Sequence, residues 1–215
     1  MFRMTIFADE PPPVAAAQTR LHELQRLCPA LVGYVESGAL PNQIDDATPA
    51  FKAISELYFA STVAAEQAAA EHRTLAALLA VTDDAPMMLC QERTVLRTAA
   101  YRPGTGIKIT FPFRRLAALA LADFQHYWWH QHGPIAAQTD GALCYTQQHL
   151  LPTGDGAPPP RYDAITELHF ADRDTAVAAM ASEHMKVDQT EDARNFVDLD
   201  SVAIVLMREQ VLLAP

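Results

Sequence analysis

Two hydrophobic rhythms run along the chain. Short stretches rich in β-branched and aromatic residues alternate apolar and polar positions, as half-buried strands do, and longer stretches carry apolar residues three and four apart, as helices do. In the N-terminal half the pattern predicts strands at Phe2–Phe7, Leu31–Gly38, Lys52–Ala60 and within Pro86–Val95, with helices at Ala15–Leu27 and Val63–Leu79. In the C-terminal half it predicts strands at Ile107–Arg114, Leu143–Leu151, Tyr162–Phe170 and Ser201–Arg208. A helix should run from Asp123, a suitable N-cap, to about Gln131, and another over Asp174–Lys186. Turn signals punctuate both halves: Pro103-Gly-Thr-Gly106 precedes one strand, and a Gly/Pro-rich loop fills 152–160. Each half therefore reads β-α-β-β-α-β, the ferredoxin-like order.

The halves are copies of one another. Ala53-Ile-Ser-Glu-Leu-Tyr-Phe-Ala60 matches Ala164-Ile-Thr-Glu-Leu-His-Phe-Ala171 at six of eight positions, an offset of 111 residues. The same offset sets Tyr34 on Tyr145 and Leu40-Pro41 on Leu151-Pro152. Register kept across separated segments marks a tandem duplication. The expected organisation is a first repeat over 1–97, a linker over 98–105 and a second repeat over 106–215. A four-stranded sheet with both helices on one face leaves its other face bare. The expected fold class is therefore α+β, with two ferredoxin-like repeats packed sheet to sheet as an α/β barrel.

Charge removes several partners. A net charge of −10 and a pI near 5.1 oppose binding to nucleic acid or to anionic membranes, which needs clustered Lys and Arg. No apolar run approaches the roughly 20 residues of a membrane span, and Met1–Ala8 lacks the basic start and long apolar core of an export signal. Three scattered cysteines, Cys28, Cys90 and Cys144, suggest neither a disulfide framework nor a zinc site. A cytoplasmic location with reduced thiols is expected. Glycine-rich dinucleotide and phosphate loops and the serine-hydrolase elbow are missing from the sequence.

The segment Phe124-Gln-His-Tyr-Trp-Trp-His-Gln-His-Gly-Pro134 resembles the signature of EthD-type proteins, within the dimeric α/β-barrel superfamily. Trp128, His132 and Pro134 carry the spacing. A preceding strand ending in Arg114-Arg115 and the tail Asp192-Ala-Arg-Asn-Phe-Val-Asp198, before a strand ending in Arg208-Glu209, are similar too. The likeness spans about residues 106–212 and is degenerate in the first repeat, where Ala17-Gln-Thr-Arg-Leu-His-Glu23 replaces the aromatic–histidine element. It implies one working pocket, furnished mainly by the second repeat. It also implies a range of activities, from decarboxylases and dehydratases to cofactor-independent monooxygenases of phenolic rings.

The residues themselves suggest acid/base chemistry. Positions four apart share a helix face, so Phe124, Trp128 and His132 form a stripe with Tyr127 beside it. His132, at the helix end, can exchange protons near neutral pH or hydrogen-bond a backbone carbonyl as architecture. His126 and His130 form an i, i+4 pair that reads better as a solvated face than as a metal site. On the third strand of the second repeat, Glu167 and His169 should face the barrel interior, with Glu56 and Tyr58 in the corresponding places of the first. A buried carboxylate is costly unless paired, so Glu167 is either an acid/base group or an architectural partner of a cation. Tyr145, Gln147 and His149 share one face of the second strand, matched by Tyr34 and Glu36, and are candidates to orient substrate.

The leading expectation is an enzyme without a tightly bound organic cofactor or metal, using His132, His169 and Glu167 as catalytic groups. Tyr127, Trp128, Tyr145, Gln147, His149, Tyr58 and Tyr34 would contact an apolar, aromatic or polyketide-like substrate. A lyase reaction, decarboxylation or dehydration, suits a pocket of acids and bases. The alternatives are a cofactor-independent monooxygenase, and a haem or hydrophobic-ligand binder without turnover. The tandem chain could further pair as a homodimer.

Overall fold

The computed structural model describes all residues except 42, 45–47 and 153–159. Most of the Gly/Pro-rich loop expected at 152–160 therefore lies outside the described residues. In the first repeat, β1 (Phe2–Ala8) leads through a short turn to α1 (Ala17–Leu27), β2 (Leu31–Ala39), β3 (Ala53–Phe59), α2 (Thr62–Ala70), α3 (His72–Leu79) and β4 (Met87–Arg97). The second repeat begins with β5 (Ile107–Arg115), α4 (Leu121–Tyr127), a π-helical turn Trp128–His132, and α5 (Gly133–Ala136). It continues with β6 (Cys144–Leu150), β7 (Ala164–Phe170), α6 (Arg173–Ala181), a second π-helical stretch His184–Gln189, α7 (Thr190–Ala193), the two-residue β8 (Val197–Asp198) and β9 (Val205–Leu213).

Element types match the hydrophobic pattern, and the differences are local. The helix expected over Val63–Leu79 breaks at Glu71, whose φ of −90° and ψ of 20° leave the helical region. Asp123 lies in the first turn of α4, whose N-cap is Ala120, so its charge meets the positive helix end without capping it. The last strand starts at Val205 because Leu199–Ser201 form a 3-10 turn, closed by the Ser201 hydroxyl donating to the Asp198 carbonyl at 2.5 Å. Gly106, with φ of 74°, enters β5 where an added Cβ would lie 2.0 Å from the Phe170 carbonyl oxygen, so only glycine fits that approach.

The strands run in the order β7-β6-β4-β1-β3-β2-β9-β5, and β5 pairs with β7. Eight antiparallel strands thus close a barrel, leaving no free edges among them. The repeats join along β4–β6 and β2–β9, so the bare sheet faces meet inside while their edges hydrogen-bond to each other. Helices lie outside, α1 to α3 over the first repeat and α4 to α7 over the second.

Strand alternation then divides the side chains into three regions. Between sheet and helices of the first repeat sit Met4, Leu24, Leu57, Phe59 and Leu75; the second repeat buries Ile109, Tyr145, Leu168, Phe170 and Leu206. One end of the barrel interior is apolar, with Phe7, Phe51, Ile54, Met88, Ile165 and Met207. Deeper in, the interior is ionic. Arg3 donates to Tyr58 at 2.7 Å and to Glu167 at 2.6 Å, and lies 3.2 Å from Glu56 and 3.0 Å from Glu92. Lys108 reaches Glu56 at 2.8 Å, Glu167 at 3.1 Å and Glu209 at 3.2 Å, with none of its side chain exposed.

These buried carboxyls respond differently. Burial and the neighbouring Glu167 push Glu56 up to about 8, against Lys108 and Arg3. For Glu167 burial is outweighed by Arg3 and Lys108, which hold its carboxyl well below the usual range. The two carboxyls are thus shifted in opposite directions, Glu56 up and Glu167 down.

Candidate active site

A half-open cavity of about 260 Å³ lies between the outer face of β5 and β7 and the helical segments of the second repeat. Its floor includes Phe111, Phe113, Thr166 and Leu168; its walls include Trp128, Met180, Met185 and Phe196. The aromatic wall is continuous. Phe113 meets Trp128 edge-on at 5.4 Å, Trp128 stacks on Phe124 at 5.6 Å, and Phe196 lies 5.9 Å from Phe124.

Among the described residues His132 is the one imidazole on this cavity, and the helix geometry that places it is unusual. After Tyr127 the helix widens into a π turn in which the Gly133 N–H bonds to the Trp128 carbonyl, five residues back. Pro134 follows, and having no N–H it cannot support ordinary helical bonding there. Such π turns gather at functional sites. The same Trp128 carbonyl also accepts from Gln147 Nε2 at 3.1 Å, which ties the turn to β6.

His132 Nδ1 lies 2.8 Å from Asp192 Oδ2, and its ring packs edge-on against Phe196 at 4.9 Å. Asp192 is held in turn: the Tyr127 hydroxyl donates to its Oδ1 at 2.8 Å, and Asn195 Nδ2 donates to the Tyr127 oxygen at 3.2 Å. Burial lowers the His132 pKa below its ordinary value of 6.5, and the Asp192 hydrogen bond only partly opposes this. The ring is then neutral at neutral pH, with its proton on Nδ1 toward Asp192 and Nε2 left as the basic nitrogen. An oriented imidazole beside an apolar cavity is suited to taking a proton from a bound molecule.

The other expected residues divide between three places. Trp128 shares the cavity with His132, and Tyr127 stands behind it on Asp192. Tyr145, Gln147 and His149 lie together on the outward face of β6, under the helix: Gln147 donates to Tyr145 at 2.6 Å, and His149 Nε2 pairs with Gln147 Oε1 at 2.9 Å. His149 packs at a tilt on Trp128, with centroids 4.7 Å apart, and burial, with Arg93 nearby, drives its pKa down to about 3. It is a neutral packing partner of Trp128. Glu167, His169 and Tyr58 sit inside the barrel, on the opposite face of the sheet from the cavity. Burial lowers the His169 pKa despite Glu209 and Glu167.

Tyr34, the first repeat's counterpart of Tyr145, stands beside Glu36, the counterpart of Gln147. There the Tyr34 hydroxyl meets Glu36 at 2.5 Å, and Arg20 clasps Glu36 through Nε at 2.8 Å and Nη2 at 2.6 Å. An ion pair and the apolar cluster fill the space between that sheet and its helices. His126 and His130 are exposed, and their rings meet at a tilt with centroids 4.5 Å apart. Among the described residues no group of three or more His, Cys, Asp and Glu could hold a metal ion. None of the described helices is long and apolar enough to cross a membrane.

Sequence reasoning missed Asp192 as a site residue. Its signal was present, because the Asp192-Ala-Arg-Asn-Phe196 tail carried part of the family likeness. What spacing could not show is that a segment 60 residues downstream returns to His132.

A sequence model of the EthD domain matches residues 117–200. This stretch contains the whole dyad and most of the cavity wall. Among solved structures, an anthrone oxidase-like protein superposes with a TM-score of 0.61 at 13% identity, covering 98% of this chain and 92% of its own. A protein of Fusobacterium nucleatum named as a putative monooxygenase gives 0.55 at 7% identity, covering 98% and 92%. A mutant chlorite dismutase from Candidatus Nitrospira defluvii gives 0.53 at 10%, covering 96% and 90%. At such identities the likeness is one of fold. No curated protein sequence matches the chain.

Proposed function

We propose that this protein, a fused α/β barrel whose second repeat is an EthD domain, is an enzyme that oxidises an apolar aromatic substrate after removing a proton from it. The observation that carries the reading is the His132–Asp192 dyad set against an aromatic-walled cavity. Asp192 fixes the imidazole tautomer and steadies the imidazolium that forms, and His132 Nε2 takes the proton. The aromatic wall of Phe113, Trp128 and Phe196 would hold the rings and exclude water, while Asp192 offsets part of the cost of charging the imidazole there. The carbanion so formed is electron-rich enough to react with oxygen, supplying its own electrons: a methylene and one O2 become a carbonyl and one water. The names of the anthrone oxidase-like and monooxygenase-named neighbours support this second step.

Haem binding without turnover is the alternative reading of such a cavity. The fit is poor. About 260 Å³ falls under the roughly 300–1,000 Å³ of pockets for drug-sized ligands, and haem is larger than most of those.

Anthrone, whose methylene is acidified by its flanking rings and carbonyl, is the probe of choice. Oxygen uptake matched by ketone formation, slowed roughly 10²- to 10⁴-fold in H132A, is the expected result. Equal rates in wild type and H132A would refute the role of the dyad. Exchange of the methylene protons with deuterium under nitrogen isolates the first step. Enzyme-dependent exchange without oxidation would return the activity to a proton-moving lyase reaction such as decarboxylation or dehydration.

A further inference from the structure

Resting on that reading of the cavity, we propose that Lys186 makes the site selective for aromatic compounds carrying an anionic group, a carboxylate, sulfonate or phenolate. The second π-helical stretch and the start of α7 turn Met185, Lys186, Gln189 and Thr190 toward the cavity. Two of these polar side chains are engaged in the fold: Gln189 donates to Thr139 at 2.9 Å, and Thr190 donates to the Met185 carbonyl at 2.9 Å. Lys186 is different. Among the described residues it is the single lysine or arginine lining the cavity, and its ammonium makes no hydrogen bond or ion pair with any of them.

A partner was close at hand in sequence. The chain holds 26 acidic residues against 16 Lys and Arg, and Glu183, Asp188 and Glu191 flank Lys186 in its own segment. Yet the carboxylates of this region turn elsewhere: Asp188 pairs with His184 at 2.8 Å and Asp192 with His132 at 2.8 Å. One cation is thereby left at the exposed rim of a largely apolar cavity that also holds His132. A flat apolar body lying on Phe113, Trp128 and Phe196 would place a ring substituent at that rim, where charge-assisted hydrogen bonding favours an anion.

Two fluorescent probes share a ring system and differ in charge: anilinonaphthalene sulfonate and the uncharged N-phenylnaphthylamine. Both should bind the wild-type protein, and filling the cavity with A136F should weaken both, since Ala136 lines it. K186Q should weaken the sulfonate roughly three- to tenfold, the size of an interaction at a partly wet site, while the neutral probe changes less than about twofold. K186R should keep the discrimination, and added salt should erode it for the sulfonate alone. A K186Q protein that melts like wild type but binds both probes unchanged, or loses both equally, overturns the proposal. If neither probe binds wild type, or A136F alters neither, the cavity reading falls and the Lys186 proposal with it. Because binding is read without turnover, anthrone activity can fail while the charge discrimination stands.

Discussion

Replacing Lys108 by methionine tests what holds the two repeats together. The ammonium lies within 3.2 Å of Glu56, Glu167 and Glu209 and is wholly buried. Methionine keeps much of the apolar stem but strands the carboxylates. Glu56 loses least, because burial and Glu167 already push its pKa up. Glu167 retains Arg3 at 2.6 Å, while Glu209 is left with the Gly104 N–H at 3.2 Å and with His169 at 3.9 Å, whose own pKa burial lowers. Breaking a buried pair from one side costs about 3–5 kcal/mol. At about 2–4 °C per kcal/mol for a chain of this size, the melting temperature should fall by roughly 6–20 °C.

The deficit should depend on pH with a definite sign. Without Lys108, burial raises the folded pKa of the stranded carboxyls above their unfolded value of about 4.3. A raised folded pKa leaves stability intact below the unfolded value and removes it as pH climbs through the folded one. Urea melts of K108M should therefore show a larger loss near about pH 8 than near about pH 5, up to roughly 1.4 kcal/mol for every tenfold by which folding tightens proton binding to those carboxyls. Adding E209Q, which removes the anion left with the weakest partners, should recover part of the loss. A K108M protein within about 0.5 kcal/mol of wild type at both pH values would refute this account of the interior, as would a deficit that grows on acidification.

In wild type, Glu56 itself should make stability decline as pH rises toward about 8, since its folded pKa lies above its unfolded one; E56Q should flatten that decline in the same urea melts. The kcat/KM of anthrone oxidation should rise with pH through an inflection below 6.5, because burial lowers the His132 pKa. D192N, which removes the group opposing that shift, should move the inflection further down and cut the rate by roughly 10²-fold or more through loss of the correct tautomer. R20M should cost a few kcal/mol by stranding Glu36 yet leave kcat/KM at a permissive temperature unchanged; a matching loss of activity would mean that the first repeat takes part in turnover.

Much of the fold was legible because duplication supplied a second reading of every element. The strand alternation that faces Glu167 and His169 inward also faces Leu168 and Phe170 outward, and period-2 patterning shows this directly. Barrel closure was less visible. A pattern reports which face of a strand is buried but not which edge it pairs with, so β4–β6 and β2–β9 could not be read from it. Sequence alone points to a cavity in the barrel interior; the interior holds one of about 90 Å³ beside Tyr58, Glu167 and His169, and the apolar cavity beside His132 lies under the helices, because nothing local distinguishes a buried face that is filled from one that is not. His132 and Trp128 could be placed from helical spacing; Asp192 required the chain to return.

Repetition and divergence separate the two buried chemistries. Glu56 and Glu167 recur at the same place in both repeats, and both lie in the interior, where each repeat presents charges that the other must meet: Arg3 and Glu56 from the first, Lys108, Glu167 and Glu209 from the second. Neither repeat can change there alone without stranding a buried charge, so those positions are tied to their counterparts. The outer faces carry no such tie. In the first repeat the space under the helices is closed by Arg20, Glu36 and an apolar cluster, on the far side of the sheet from the interior charges. In the second it opens into the cavity beside His132. Thr166 and Leu168 line that cavity while Glu167, between them, faces the ion cluster, so β7 insulates the site from the charges that join the repeats. A duplicated barrel can thus furnish one pocket and fill the other while its interior stays fixed.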